Sequence, residues 1–190
     1  MTTSASASGG AVLARVCVTG PESTGKTTLA SRLAAHWHTA WVPEASRAYA
    51  ERKASPLVAG DVTPIAREHV AMSSAAAPLA TRLLVLDTDL LSTVIYARHY
   101  YGVVPPEVDA LERARRADLY LLCDVDVPWV HDGIRDRPVD RESMLALFRD
   151  ALDARALRWT MIRGDWNVRW LTAHDAVETL LASPPFVVRT

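Results

Sequence analysis

The sequence predicts an α/β fold with three layers, α/β/α: a mostly parallel sheet of about five strands between helices on both faces. Three observations predict it. Short apolar runs alternate with longer amphipathic stretches along the chain. A glycine-rich loop, Gly20-Pro21-Glu22-Ser23-Thr24-Gly25-Lys26-Thr27, lies between the first such run and the first such stretch. A continuous apolar run, Leu83-Leu84-Val85-Leu86, ends in Asp87-Thr88-Asp89. Strands separated by helices of this length form βαβ units with parallel strands. A strand buried on both faces reads as an unbroken apolar run.

The elements follow in order. Residues 14–19 read as a buried strand. A helix from Lys26 carries Leu29, Leu33 and Trp37 at four-residue spacing. A short strand over 39–42 ends at Pro43-Glu44, and helices cover 44–53 and 64–80, the second favoured by its alanines. The strand at 83–86 feeds a helix over 90–101 with Leu91, Val94 and Ile95 on one face. Gly102 and Pro105-Pro106 break the chain before a charged helix over 107–116. Residues 119–123 form the next strand. The stretch 124–140 is polar and rich in Pro, Gly and Arg. A helix over 141–156 turns Met144, Leu145, Phe148 and Leu152 inward. A last strand over 158–163 precedes a helix over 167–181 with Trp170, Leu171, Val177 and Leu181 inward. One domain is expected over 11–190, after a Ser/Ala/Thr/Gly-rich leader, 1–10, expected to be disordered.

Composition narrows the function classes. The 190 residues are 49% hydrophobic and 23% charged, with a formal net charge of −1, which suits one globular domain. That balance argues against a surface built to bind nucleic acid or anionic membrane. No apolar stretch reaches the length of a membrane span, and the N-terminus lacks the charged start of a secretory signal. Cys17 and Cys123 sit in apolar strands as free buried thiols, which suits a cytoplasmic location. Of the 21 basic residues, only Lys26 and Lys53 are lysine. A chain that uses arginine almost everywhere keeps lysine in the glycine loop, where a compact ammonium fits a phosphate cradle and a planar guanidinium does not.

The loop carries the strongest chemical signal. Its pattern is Gly, four residues, Gly-Lys-Thr, with a strand before it and a helix after it. Gly20, Glu22, Ser23, Thr24, Gly25, Lys26, Thr27 and Thr28 form the expected nucleotide cradle. Backbone N–H groups and the helix N-terminus converge there on phosphate oxygens. Lys26 is expected to reach the terminal phosphates of a nucleoside triphosphate, and the Thr27 hydroxyl to ligate Mg²⁺. Asp87, at a strand's C-terminal end, can hold the metal's hydration shell opposite Thr27, or it can cap the following helix. Asp89 can cap that helix, bind the acceptor, or do both.

Other residues leave alternatives open. Glu44 and Arg47 share one side of a helical first turn. Glu44 can accept the proton of an acceptor hydroxyl, with Arg47 holding an acceptor or phosphoryl group; the two also read as a plain surface ion pair. Arg135 and Arg137 can close over phosphates from a flexible segment, or decorate a solvated loop. Gly164-Asp165-Trp166 with Arg169 can form an adenine-binding turn or simply start a helix. A guanine-specific switch would show Asn-Lys-x-Asp near the fourth strand, and Leu122-Cys123-Asp124-Val125-Asp126 holds no lysine.

From about Arg15 to Leu181 the chain resembles the nicotinamide riboside kinase domain of the NadR type, in the P-loop kinase superfamily. The resemblance rests on Glu44-Ala45-Ser46-Arg47, on Leu86-Asp87-Thr88-Asp89 with Tyr101-Gly102, and on Pro128-Trp129-Val130-His131-Asp132-Gly133-Ile134-Arg135, which is similar to the family's lid. It implies a P-loop kinase fold with a flexible lid. It further implies ATP as co-substrate, Mg²⁺, and transfer to the 5′-hydroxyl of nicotinamide riboside in NAD salvage. Glu44, Arg47 and Asp89 become acceptor-site residues, with Glu44 or Asp89 as the base. Arg135 and Arg137 become lid arginines, and Gly164, Trp166 and Arg169 approach the adenine. Pro43 stands where the family has an aromatic, which makes Trp41 the nearest tryptophan for the pyridine ring. Longer members add an adenylyltransferase domain and sometimes a DNA-binding domain, so the resemblance carries over the kinase step alone. A kinase of another nucleoside or small metabolite, and a nucleotide-dependent switch, are the other functions this constellation allows.

Overall fold

The computed structural model describes residues 12–127 and 141–183. The expected leader over 1–10, and the part of the polar loop that carries Arg135 and Arg137, lie outside the described residues.

Ala14–Thr19 (β1) runs into the glycine loop, and Lys26–His36 (α1) leaves it. Trp41–Val42 (β2) precedes Ala45–Lys53 (α2), and a single 3-10 turn leads into Val62–Ala76 (α3). Then come Leu83–Asp87 (β3), Leu90–Tyr101 (α4), Pro106–Ala114 (α5), Leu119–Cys123 (β4), Arg141–Ala154 (α6), Trp159–Ile162 (β5) and Trp166–Ala182 (α7). Local chemistry sets several boundaries. Asp89 caps α4 by accepting from the Leu91 N–H, and Gly102 ends it in a left-handed turn. Asp165 caps α7 by accepting from Asn167 and Val168. Pro106 starts α5, with Glu107 and Asp109 in its first turn, where the helix dipole favours acids.

All five strands are parallel, in the order β2-β3-β1-β4-β5. Alternation along the strands divides the core. Val16, Val18, Leu83, Val85, Leu119, Leu121 and Cys123 pack with α1 and α7 on one face. Cys17, Leu84, Leu86, Tyr120 and Leu122 pack with α4 and α6 on the other. The two cysteines are free, fully buried, and on opposite faces of the sheet. A third cluster joins α3, α4 and α5 through Ala66, Leu90, Val94 and Val108.

Two expectations about elements change. The helix expected over 64–80 stops at Ala76 and continues as a 3-10 turn, Ala77–Leu79, holding Pro78, which has no N–H to extend the α ladder. Leu171, expected inward, is exposed, because the buried stripe of α7 runs through Arg169, Ala173, Val177 and Leu180. Among the described residues no helix is long and apolar enough to cross a membrane.

Candidate active site

β1 lies at the centre of the sheet, so the loop after it opens at the point where chain connections diverge to either side, above the strands' C-terminal ends. Gly20 has φ +131°, and a Cβ there would lie 2.7 Å from the Cys123 carbonyl oxygen. A glycine is required to let the loop rise past β4. Gly25 has φ +81° and its Cα faces the Trp166 ring, where an added Cβ would lie 2.4 Å from the indole. The Lys26 ammonium is buried and donates to the Pro21 carbonyl at 2.6 Å, and Thr24 donates to the same oxygen at 2.8 Å. The loop is thus folded around its own lysine.

Two carbonyls in the middle of the loop, those of Ser23 and Thr24, are held by arginines from distant elements. Arg141, at the start of α6, donates to Ser23 O at 3.3 Å and to Val127 O. Arg169, 1% exposed, donates to Thr24 O at 3.2 Å, Gly164 O at 2.9 Å and Asp124 O at 3.1 Å, and pairs with Asp126. Arg169 was expected beside the adenine. The structure instead buries it beneath the turn at Gly164, where it ties that turn to the phosphate loop. Trp166 stays half exposed and, with Thr28, Arg32 and Trp170, lines a slot of about 260 Å³ next to α1.

Asp87 accepts from the Thr27 hydroxyl at 2.6 Å through Oδ2. Its other oxygen, Oδ1, is buried without a hydrogen-bond partner. Burial pushes the Asp87 carboxyl up; the Thr27 hydrogen bond opposes this, and the Glu44 charge adds to it. A buried oxygen with an open lone pair beside a threonine hydroxyl is the donor set that a hard cation with oxygen ligands takes.

A second, larger cavity of about 770 Å³ adjoins the loop. Gly20, Glu22 and Lys26 line it from the loop, Glu44 and Ser46 from the start of α2, and Ser55 to Val58 from the α2–α3 connection. Asp89, Ser92, Tyr96, Tyr100 and Tyr101 complete it from the α4 side. Glu44 is buried and accepts from the Ser46 hydroxyl at 2.6 Å. Arg47 Nε lies 3.8 Å from Glu44 Oε2, with its side chain 42% exposed. Burial of Glu44 sets this apart from a plain surface pair. Asp89 accepts from Leu91 N at 2.9 Å and from the Tyr120 hydroxyl at 2.7 Å. Burial pushes it up to about 6, against those two donors. His69, also on the cavity, is driven down to about 4 by burial, which keeps its ring neutral at pH 7.

The structure therefore brings Gly20, Glu22, Lys26, Glu44 and Asp89 onto one cavity, with Thr27 and Asp87 joined beside it. Two expected acceptor residues fall outside its lining. Arg47 lies behind Glu44. Trp41 packs against the α1 face of the sheet, because side chains alternate along β2 and Val42 takes the other face. Sequence reasoning did not single out Tyr96, Tyr100 and His69. Tyr96 and Tyr100 stand four residues apart on α4 with stacked rings 5.8 Å apart, a spacing that also describes an ordinary core stripe.

A family model described as an AAA domain matches residues 15–169. The chain belongs to this AAA domain family. The trifunctional NAD biosynthesis/regulator protein NadR of Salmonella typhimurium is 29% identical over 173 residues, covering 87% of this chain and 42% of the relative. The Escherichia coli K12 protein of the same name matches equally. The chain thus spans less than half the length of the curated relatives it matches. A crystal structure of NadR in complex with NR superposes with a TM-score of 0.76 at 24% identity, covering 94% of this AAA domain chain and 54% of the other. A thymidylate kinase from Ehrlichia chaffeensis gives 0.63 at 15% identity, covering 88% and 98%. The chain has the NadR-like P-loop kinase fold.

Proposed function

We propose that this chain is an ATP-dependent kinase that phosphorylates the 5′-hydroxyl of nicotinamide riboside, giving nicotinamide mononucleotide and ADP. The observation that carries the reading is the cavity of about 770 Å³ that places the buried Glu44 carboxylate on the same space as Lys26 of the phosphate loop. A phosphoryl donor and a hydroxyl acceptor must meet in one water-poor volume, a requirement that a nucleotide switch without an acceptor does not have. The NadR resemblance and the NadR crystal structures, one with NR and one with NAD and AMP-PNP, support nicotinamide riboside and ATP as the pair.

In this reading, the N–H groups of the glycine loop hold the β- and γ-phosphates, and Lys26 exchanges its Pro21 bond for phosphate oxygens. Glu44 takes the acceptor's hydroxyl proton, while Ser46 fixes its orientation. Asp89, anchored by Leu91 and Tyr120, binds the ribose. Arg47 adds positive charge beside Glu44. Thr27 and Asp87 would hold Mg²⁺, which when bound neutralises charge on the β- and γ-phosphates. The base of ATP lies against Trp166 at the Gly164 turn, and Arg135 and Arg137 act as lid arginines.

The test mixes the protein with Mg-ATP and nicotinamide riboside and follows mononucleotide and ADP by chromatography. Equal amounts of both are expected. If another nucleoside from a panel is phosphorylated instead, the kinase reading stands and the acceptor is wrong. ATP binding with no acceptor turned over would favour a switch.

A further inference from the structure

Lys53 is the second of two lysines in a chain with nineteen arginines, and the reaction above uses only the first. Its surroundings explain why the residue is lysine. Lys53 ends α2, and Ala54 after it turns left-handed at φ 54°, a conformation a non-glycine residue keeps only when its neighbours hold it. The chain then runs through Pro56, Leu57 and Val58 along the wall of the large cavity. Lys53 Nζ donates to Pro56 O at 3.0 Å and to Asp61 Oδ2 at 2.5 Å. That Asp61 oxygen also accepts from the Val58 N–H at 2.8 Å, and Oδ1 accepts from the Tyr49 hydroxyl at 3.1 Å. Asp61 is buried and the Lys53 side chain is 25% exposed. One ammonium thus spans the connection at both ends. It is a compact donor that can send bonds in separate directions, whereas a guanidinium is planar and wider.

We propose that Lys53 is a positioning residue for the acceptor: with Asp61 it clips the α2–α3 connection into the wall of the acceptor cavity. The proposal rests on the large cavity being the acceptor site. The hydrogen bonds of Lys53 go to Pro56 and Asp61, so its loss should act on acceptor binding and leave nucleotide binding alone. Arginine keeps the charge but cannot reproduce the two bonds in the same space.

The test compares the parent with Lys53→Met, Lys53→Arg and Asp61→Asn. Kinetics are measured with nicotinamide riboside and Mg-ATP, and amide hydrogen exchange is followed at Val58. The acceptor KM should rise roughly tenfold or more in Lys53→Met, with kcat and the ATP KM within roughly twofold. The Val58 amide should lose protection, and Lys53→Arg should fail to restore the parental KM. An unchanged acceptor KM in Lys53→Met, or an equal rise in both KM values, overturns the proposal. So does full restoration by Lys53→Arg. If the parent does not phosphorylate nicotinamide riboside, the substrate reading fails, and hydrogen exchange decides the clip by itself. Lost protection in Lys53→Met then supports it, and unchanged protection overturns it.

Discussion

Lys26 and Glu44 line one cavity with opposite charges, and their replacements should separate two parts of the chemistry. Lys26→Met removes the positive charge that stabilises the transferring phosphoryl group and should lower kcat by roughly 10²–10³ or more in a folded protein. Glu44→Gln keeps the shape and the bond from Ser46 but removes the base, so kcat should fall by roughly 10²–10⁴ with nucleotide affinity intact. Turnover of either variant near that of the parent would remove its assigned role. Asp89 gives a pH signature. Its carboxyl ordinarily titrates near 3.8, and burial raises it to about 6 in the folded state. Folding therefore favours its protonated form, and that contribution is fully present below 3.8 and lost as pH rises through about 6. Asp61 runs the other way. The Lys53 hydrogen bond holds it below its ordinary value, so its contribution is present above 3.8 and fades as pH falls further. Denaturation of Asp89→Asn across this range should show the stability difference from the parent changing between 3.8 and about 6, and a constant difference would refute the assignment. The phosphate-loop residues were legible because their pattern is local and each has a stated job. Arg169 was not, because its acceptors, Thr24 O and Asp124 O, lie 145 and 45 residues away. A charge in a helix's first turn gives no sign that it will be enclosed.

At the scale of elements, the passage from β1 to α1 depends on how closely it crosses β4. Gly20→Ala would place a methyl 2.7 Å from a backbone oxygen at a φ that L-residues avoid. The loop must then shift or the strand must yield. The expected loss is roughly 1–3 kcal/mol of stability, with a weaker ATP affinity because the N–H groups move off the phosphates. Urea denaturation and nucleotide titration check the two separately; loss of stability with unchanged ATP affinity would mean that β4 yields and the cradle does not. Strand and helix order was readable from apolar periodicity, since β3 is an almost unbroken apolar run, β4 is one throughout, and β1 is centred on Val16-Cys17-Val18. The facing of β2 was not, because a two-residue strand carries no period, and Trp41, a candidate for the acceptor, packs on the α1 face outside the cavity lining. The α2–α3 connection was also silent. Its shape comes from Lys53, Asp61 and Tyr49 meeting across the turn, and nothing in their spacing announces that meeting.

For the whole molecule, the three-layer architecture follows from burying a five-stranded parallel sheet on both faces, and the alternation of runs already required it. The size of the large cavity beside the glycine loop was out of reach from sequence, because it is set by the gap that α2, α3 and α4 leave between them. The buried cysteines offer a way to watch the molecule open. Cys17 and Cys123 sit on adjacent central strands, facing opposite layers. Burial raises both thiols, Cys123 to about 12, so neither is a thiolate at neutral pH. A thiol reagent can therefore modify them only in molecules whose centre has come apart, and the labelling rate of the native protein becomes a clock for that rare event. Each layer has its own reporter: single Cys17→Ala and Cys123→Ala variants show whether the two faces loosen together or one after the other. If nucleotide binds at the glycine loop that follows β1, saturating ATP should slow both clocks by the same factor when the sheet opens as one cooperative unit.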